Sequence, residues 1–160
     1  LCALLLIGRA GSSMCAELGV MRISDQIAVL DSMGIDSYNY LIGPKFLASL
    51  ICFPILSFLF AIVGVGGAYM AGVVMLGVNS GSFYGGVVRA MNIDSLVPMC
   101  LYKSLLFGFV TVSICSFKGY FVGVRGAKGA LGVSRATTEA VVYASVTILL
   151  WDYLMTSLLI

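Results

Sequence analysis

The sequence predicts an all-α fold, a polytopic bundle of membrane helices with one short amphipathic helix between two of the spans. Apolar residues make up 61% of the chain and charged residues 10%, and mean hydropathy is +1.09, whereas soluble proteins are about half apolar and a quarter charged. The stretch from Phe46 to Val88 contains no Asp, Glu, Lys or Arg, and it exceeds the ~20 apolar residues that cross hydrocarbon. Residues 23–36 are amphipathic and too polar to span.

The 160 residues are sufficient for one domain. Membrane helices are predicted over 1–21, about 44–77, 95–117 and 136–160, with the amphipathic helix over 23–36. The chain begins without a methionine, so we expect the first span to be a cut helix of a longer protein.

Small residues recur at every fourth position of the first span. One line comprises Gly8, Ser12 and Ala16, and the next comprises Gly11, Cys15 and Gly19. Such stripes allow membrane helices to approach closely. Packing within the chain is favoured over a seam between two copies.

The amphipathic segment has apolar residues at helical spacing: Ile23, Ile27, Leu30 and Met33. Ser24 is a plausible N-cap, and Gly34 is a plausible residue to end the helix. Interfacial membrane helices usually have Lys and Arg on the polar face, whereas Asp25 and Asp31 make this one acidic. A face that contacts another protein fits this pattern better than a face that lies on lipid.

The next span is expected to begin at Pro44, because proline suits the first position of a helix, and to kink at Pro54. After it, NSGSFYGG indicates a turn and VVRAMNID a short polar element outside the hydrocarbon.

Lys and Arg collect on the cytoplasmic side of membrane proteins. The loop between the last two spans contains Lys118, Arg125, Lys128 and Arg135. Arg22 and Lys45 flank the amphipathic helix. Both connections are therefore expected in the cytoplasm, and the loop around Arg89 and Asp94 outside.

Four ionisable residues are predicted within the membrane. Lys103 and Asp152 lie at matching depth, roughly 10–12 Å from the outer ends of their spans at ~1.5 Å per residue, which favours an ion pair over a snorkelling lysine beside a wet cavity. Arg9 and Glu17 are about two turns apart on the first span. They fit a polar substrate path and a structural ion-pair network equally well.

The sequence lacks the residues that several classes of functional site usually require. Histidine is absent, the five cysteines contain no C-x-x-C pair, and GVRGAKGALG lacks the Lys-Ser/Thr ending of a phosphate-binding loop. A net charge of +2 is too small to indicate nucleic-acid binding. We therefore expect no catalytic residues, no metal site and no cofactor, and we expect the cysteines to act as packing residues.

The segment GRAGSSMCAELGVMRISDQIAVLDSMGID, followed by LIGPKFLA and later by GVSRATTEAVV, resembles the MlaE family. These are permease subunits of ABC-type phospholipid transporters in Gram-negative envelopes and chloroplasts. The resemblance covers nearly the whole chain and implies that an N-terminal interfacial helix and a first membrane helix are missing. It also implies that segment 23–36 is the coupling helix, which docks on a cytoplasmic ATPase.

By matching positions, the resemblance implies ATPase docking by Arg22, Ser24, Asp25, Gln26, Leu30, Met33, Gly34 and Asp36. It also implies that one helix borders the lipid cavity and the dimer seam. The residues of that helix are Gly8, Arg9, Gly11, Glu17 and Gly19. The chain departs from the family pattern at Val20, Ala28, Ser37 and Lys45, where Thr, Asp, Pro and Arg are common. The apolar stripe remains, but an acid available for ion pairs with the ATPase is lost.

The implied assembly is a homodimer of permeases with two ATPase subunits and a ring of MCE-domain subunits outside. It would move phospholipids between the inner membrane and periplasmic carriers and so maintain outer-membrane lipid asymmetry. A bacterial inner membrane is favoured over the chloroplast envelope. The alternatives are a secondary transporter or channel with Arg9, Glu17, Lys103 and Asp152 as an ion relay, and a structural scaffold.

Overall fold

The computed structural model describes residues 1–77, 79–90, 93–123 and 129–159, and at 90, 93–97, 158 and 159 it describes the backbone alone. These residues form six continuous helices and no strand, which confirms the all-α prediction. The helices are α1 (Cys2–Ile23, π-helical over Ile7–Gly11), α2 (Gln26–Ser32), α3 (Ser37–Met75, π-helical over Met70–Met75), α4 (Ser80–Ala90), α5 (Ile93–Tyr120) and α6 (Ala130–Leu159).

Four helices in the described part of the chain are long and apolar enough to cross a membrane. The candidate spans are Cys2–Ile23, Ser37–Met75, Pro98–Tyr120 and Ala130–Ser157. The predicted polytopic membrane bundle is therefore confirmed. Many large apolar side chains face outward, including Ile62 and Val63 of α3, as expected of a surface that contacts lipid.

The core lies where α1, α5 and α6 meet. Its buried members are mostly small or compact: Ile7, Cys15, Cys115, Ala140, Ala144 and Ile148. All five cysteines are free, and Cys15 and Cys115 are fully buried, so these two fill space as small apolar side chains.

Gly119 marks the closest approach between α1 and α5. A Cβ atom at this position would lie 2.8 Å from the Cys15 carbonyl oxygen and 2.9 Å from Leu18 Cβ. Real Cβ atoms do not approach backbone so closely, so only glycine allows the two helices to cross at this distance.

The small residues of α1 also face helices of the same chain. A Cβ on Gly11 would lie 3.0 Å from Cys115 Sγ in α5, and one on Gly19 would lie 3.2 Å from Val133 in α6. Gly8, by contrast, has open space around it. The line that contains Gly11 and Gly19 is therefore a packing surface within the chain.

Helix α3 begins at Ser37, so the prediction that Pro44 is its first residue is wrong. Asp36 precedes the helix and accepts a hydrogen bond from Asn39 Nδ2 at 2.7 Å, and a carboxylate is favourable at a helix N-terminus. Pro44 and Pro54 both lie inside α3. Membrane helices tolerate internal proline because neighbouring groups satisfy the freed carbonyls.

Helix α4 (Ser80–Ala90) occupies the stretch predicted as a turn, so the turn prediction is wrong for the described residues. Its last residues belong to the predicted polar element, which stays a prediction. Asn79 starts the helix, because its Oδ1 accepts the Gly81 N–H at 3.4 Å. Tyr69 and Phe83 then pack edge to face, with ring centroids 5.7 Å apart. This contact joins α4 to the end of α3.

The connection between the last two spans is shorter than the loop predicted between 117 and 136, because α5 continues to Tyr120 and α6 begins at Ala130. Some residues used to predict orientation and the outer polar element lie outside the described residues: Met91, Asn92, Arg125, Lys128 and the side chain of Asp94.

Replacing Gly119 with alanine should destabilise the bundle, because the new methyl group must push α1 and α5 apart. Overpacking of this kind costs about 1–3 kcal/mol. Thermal unfolding of the detergent-solubilised protein measures the loss. Gly64→Ala is the matched control, because nothing lies within 4 Å of a Cβ there. Equal melting temperatures for the two variants would contradict the close crossing.

Candidate functional site

The turn between α1 and α2 contains the residue that closes α1 and the residue that precedes α2. Ser24 Oγ donates to the Val20 carbonyl at 2.9 Å, so Ser24 closes α1, and the prediction that it caps α2 is wrong. Asp25 takes the N-cap position, with a left-handed φ of 56° and no side-chain capping bond. Gln26 is the first helical residue. Helix α2 is therefore shorter than the predicted segment 23–36.

Gly34 ends α2 as predicted. It has a left-handed φ of 75°, and its N–H donates to the Asp31 carbonyl at 3.1 Å. The Ile35 N–H donates to the Leu30 carbonyl at 3.3 Å. These two bonds form a Schellman motif, which directs the chain back toward α3.

The apolar stripe around α2 is exposed at its two ends, Ile23 and Met33, and buried or partly buried in between. Ile27 is fully buried and Leu30 is partly buried, whereas Met33 is 68% exposed. The exposed apolar residues at this end of the bundle are Ile23, Val29, Met33 and Ile35, and the exposed acids are Asp25, Asp31 and Asp36. Apolar side chains rimmed by acids form a surface that a protein partner can cover.

Tyr120 at the end of α5 joins the two helices that flank α2. The Arg22 guanidinium of α1 lies 5.5 Å from the centroid of the Tyr120 ring. The Tyr120 hydroxyl is 3.2 Å from Ser37 Oγ of α3, within hydrogen-bond distance, and Tyr38 packs edge to face on the same ring at 5.7 Å. Arg22 therefore contacts a residue of its own bundle, and the two helices that flank α2 are both attached to α5.

A cavity of about 550 Å³ lies among α1, α3, α5 and α6, within the size range of ligand sites. Its walls are largely apolar and include Leu6, Phe53, Ala61, Ile62 and Phe107, with Lys103 and Asp152 also in the lining. The cavity can therefore take an apolar ligand with one polar end. We call it the first cavity.

The structure brings Lys103 and Asp152 together. Lys103 Nζ lies 3.2 Å from Asp152 Oδ1 and donates to Thr156 Oγ1 at 2.8 Å. The lysine side chain is 19% exposed and the aspartate 53%. One residue of α5 thus contacts two successive turns of α6, and the pair is the main charged feature of an apolar wall.

Glu17 and Arg9 have different surroundings. Glu17 forms an ion pair with Lys45, which joins α1 to α3. Arg9 is exposed within the π-helical section Ile7–Gly11, and no ion pair to its guanidinium occurs among the residues that the structure describes. For Glu17 the geometry favours the structural ion-pair network among the two alternatives.

Sequence reasoning missed three contacts at these sites. Thr156 could have been found, because it lies one turn after Asp152 on the same helix face. Lys45 and Tyr120 could not have been assigned, because their partners come from helices distant in sequence, and helical periodicity says nothing about which helices are neighbours.

Replacing Asp152 with leucine alone should destabilise the bundle more than replacing both Lys103 with methionine and Asp152 with leucine. The single change leaves a lysine without its counter-charge in an apolar wall. A double-mutant cycle on thermal unfolding should give a coupling energy on the order of 1 kcal/mol. Additive losses from the two single changes would mean that the ion pair contributes nothing.

Comparison with known proteins identifies the family to which the chain belongs. Residues 1–158 match the family Permease MlaE. A probable ABC transporter permease protein of Rickettsia bellii is 38% identical over 99% of this chain, and the intermembrane phospholipid transport system permease protein MlaE of Haemophilus influenzae is 34% identical over 98%. The chain spans 59% of the length of each of these two relatives.

A plant protein is also similar. TRIGALACTOSYLDIACYLGLYCEROL 1, chloroplastic, of Arabidopsis thaliana is 32% identical over 97% of this chain, which covers 43% of the plant protein. The family match over almost every residue, together with four helices able to cross a membrane, leads to one conclusion: this membrane protein belongs to the MlaE permease family.

Proposed function

We propose that this chain is the membrane part of a permease subunit in an ABC transporter that moves phospholipids. It would perform no chemistry itself and would respond to ATP hydrolysis in a separate partner chain. The observation that carries the proposal is the exposed apolar and acidic surface of α2, which lies between two spans and has no partner among the described residues. Family membership and the printed name of the Haemophilus influenzae relative support it.

Helix α2 is the proposed coupling helix. Met33 is 68% exposed and the acids around it are exposed, which suits an ATPase groove with apolar and basic side chains. The residues proposed for docking are Arg22, Ser24, Asp25, Gln26, Leu30, Met33, Gly34 and Asp36. Of these, Arg22 would act indirectly, because its guanidinium lies over Tyr120.

Movement of α2 would be transmitted through its attachments. Arg22 and Ser37 both contact Tyr120, so α2 cannot shift without the adjoining ends of α1, α3 and α5. A rigid displacement of this kind would reshape the first cavity. The proposed transport cycle needs only mechanical coupling between α2 and the membrane helices.

The first cavity is the proposed place for the lipid. Apolar walls of α3 and α5 suit an acyl chain, and the Lys103–Asp152 pair supplies both charges for a headgroup. Gly8 has open space around it and Arg9 is exposed, so this side of α1 remains available for a second copy of the chain. Gly11, Glu17 and Gly19 instead contact helices of their own chain.

The proposed assembly is a homodimer with two cytoplasmic ATPase subunits and outer MCE-domain subunits, in the inner membrane of a Gram-negative bacterium. The positive-inside rule places α2 and the α5–α6 connection in the cytoplasm. An ion-coupled transporter or channel is not favoured, because the family is that of a permease and the Glu17 and Lys103 side chains are already paired. Co-purification of a nucleotide-binding subunit with the full-length protein separates the two.

Replacing Asp31 with lysine should uncouple ATP hydrolysis from lipid transport, because a positive charge would enter an acidic docking surface. In a reconstituted full-length complex, we expect transport per ATP hydrolysed to fall about tenfold, which corresponds to a loss of about 1.4 kcal/mol. Arg89→Glu, a charge reversal on exposed α4, is the matched control and should leave coupling unchanged. Undiminished coupling of ATP hydrolysis to transport in the Asp31 variant would show that α2 is not part of the docking surface.

Replacing Ala61 with tryptophan should block the first cavity, because the indole would fill part of its 550 Å³. We expect lipid transport by the reconstituted complex to fall at least tenfold while ATPase subunits still co-purify. Ala48→Trp is the control, because Ala48 is exposed on the same helix and does not line this cavity. Normal transport in the Ala61 variant would show that lipid takes another route.

A further inference from the structure

A second cavity, of about 650 Å³, lies among α3, α5 and α6. It shares no lining residue with the first cavity. Its lining includes Tyr38, Phe46, Ser116, Phe117, Lys118 and Tyr143. This second cavity thus combines aromatic walls with one cation and one buried hydroxyl.

The hydroxyl of Ser116 has no hydrogen-bond partner among the residues that the structure describes. Other hydroxyls on α5 donate to carbonyls one turn earlier, as Thr111 does to Phe107 at 2.7 Å and Ser113 to Phe109 at 2.8 Å. Ser116 is 2% exposed, and its Oγ is the one buried side-chain polar atom without a partner in the described residues. Buried polar atoms are nearly always paired. Ser116 is also a lining residue of the second cavity, so rotation of its side chain would bring the hydroxyl to a ligand oxygen there.

Lys118 supplies the positive charge. Its Nζ lies 2.8 Å from Glu139 Oε2 and 4.4 Å from the centroid of the Tyr143 ring. The Glu139 side chain is 58% exposed, and exposed ion pairs contribute little to stability. An incoming anion can therefore compete with the Glu139 carboxylate for Lys118.

The second cavity lies at the level of one membrane surface. Lys118 is two residues before the end of α5 at Tyr120 and Tyr38 is the second residue of α3, whereas Phe46 lies about two turns deeper along α3. Tyrosine side chains and lysines gather at the lipid–water interface. By the positive-inside rule this surface is cytoplasmic, where anionic lipids bind basic pockets between membrane helices.

We propose that the second cavity binds an anionic phospholipid of the cytoplasmic leaflet. The phosphate contacts Lys118, the Ser116 hydroxyl donates to an ester carbonyl oxygen of the same lipid, and an acyl chain lies against Phe46 and Phe117. The site does not depend on the first cavity carrying substrate. It depends on the orientation of the bundle, which places Lys118 beside the anionic leaflet.

Photo-crosslinking in the full-length permease locates the lipid without any substitution. A phosphatidylglycerol with a diazirine in its acyl chain should label the side chains of Phe46, Phe117 or Tyr143, with each labelled residue located by fragmentation in tandem mass spectrometry. Labelling confined to the first cavity, around Ala61 and Phe107, would overturn the proposal. Displacement of the label by millimolar inorganic phosphate alone would also overturn it, because the site would then recognise a free anion and not a lipid.

Variants then test the proposed contacts. Native mass spectrometry of the full-length permease should show that Lys118→Ala weakens phosphatidylglycerol binding about tenfold, as expected for loss of a charged hydrogen bond, and leaves phosphatidylcholine binding nearly unchanged. Glu139→Gln breaks the same ion pair but keeps the lysine, so it should bind phosphatidylglycerol as tightly as the parent or more tightly. Equal losses of phosphatidylglycerol binding in the two variants would show that the Lys118–Glu139 ion pair is structural, and would contradict the proposal.

Discussion

The close crossing of α1 and α5 at Gly119 is the constraint on which the rest of the bundle depends. Lipid tails are as apolar as the side chains, so burial from water does not hold membrane helices together, and close packing must do so. A glycine Cα against the Cys15 backbone brings the two helices within reach of each other, and Ala140 and Ala144 allow α6 to join them. The larger apolar residues are left for the outer surface.

Ion pairs add specificity to a core whose small side chains define few unique contacts. Glu17–Lys45 joins α1 to α3, and Lys103–Asp152 and Lys118–Glu139 join α5 to α6 at two levels. Because charge is rare in this chain, each pair restricts how neighbouring helices can rotate or slide. The two α5–α6 pairs also mark the two cavities, since Lys103 lines the first and Lys118 the second.

The opposite ends of the bundle differ in how closely their helices are connected. At the α2 end, Tyr120 contacts Arg22, Ser37 and Tyr38, so the adjoining ends of α1, α3 and α5 are connected there. At the other end, α1 and α3 border an open cavity, and a π-helical section interrupts the regular winding of each. Such sections often occur at functional sites. In the proposed function, the α2 end would receive force from the ATPase and the end with the cavity would change shape.

The sequence by itself determined the helical class, the four membrane-crossing helices, the short amphipathic helix and its Gly34 end, because length, hydropathy and helical period are local properties. The matching depth of Lys103 and Asp152 was also readable from the sequence, since it depends only on distance from a helix end. Local signals misled at Pro44 and Ser24, where a residue typical of helix starts lies inside or at the end of a helix. Only the tertiary structure decided that Glu17 pairs with Lys45, that Tyr120 joins both flanks of α2 and that the Ser116 hydroxyl has no partner within the described part of the chain. The physical reason is that these contacts depend on which helices are neighbours and how each is rotated, and both depend on the packing of the whole bundle.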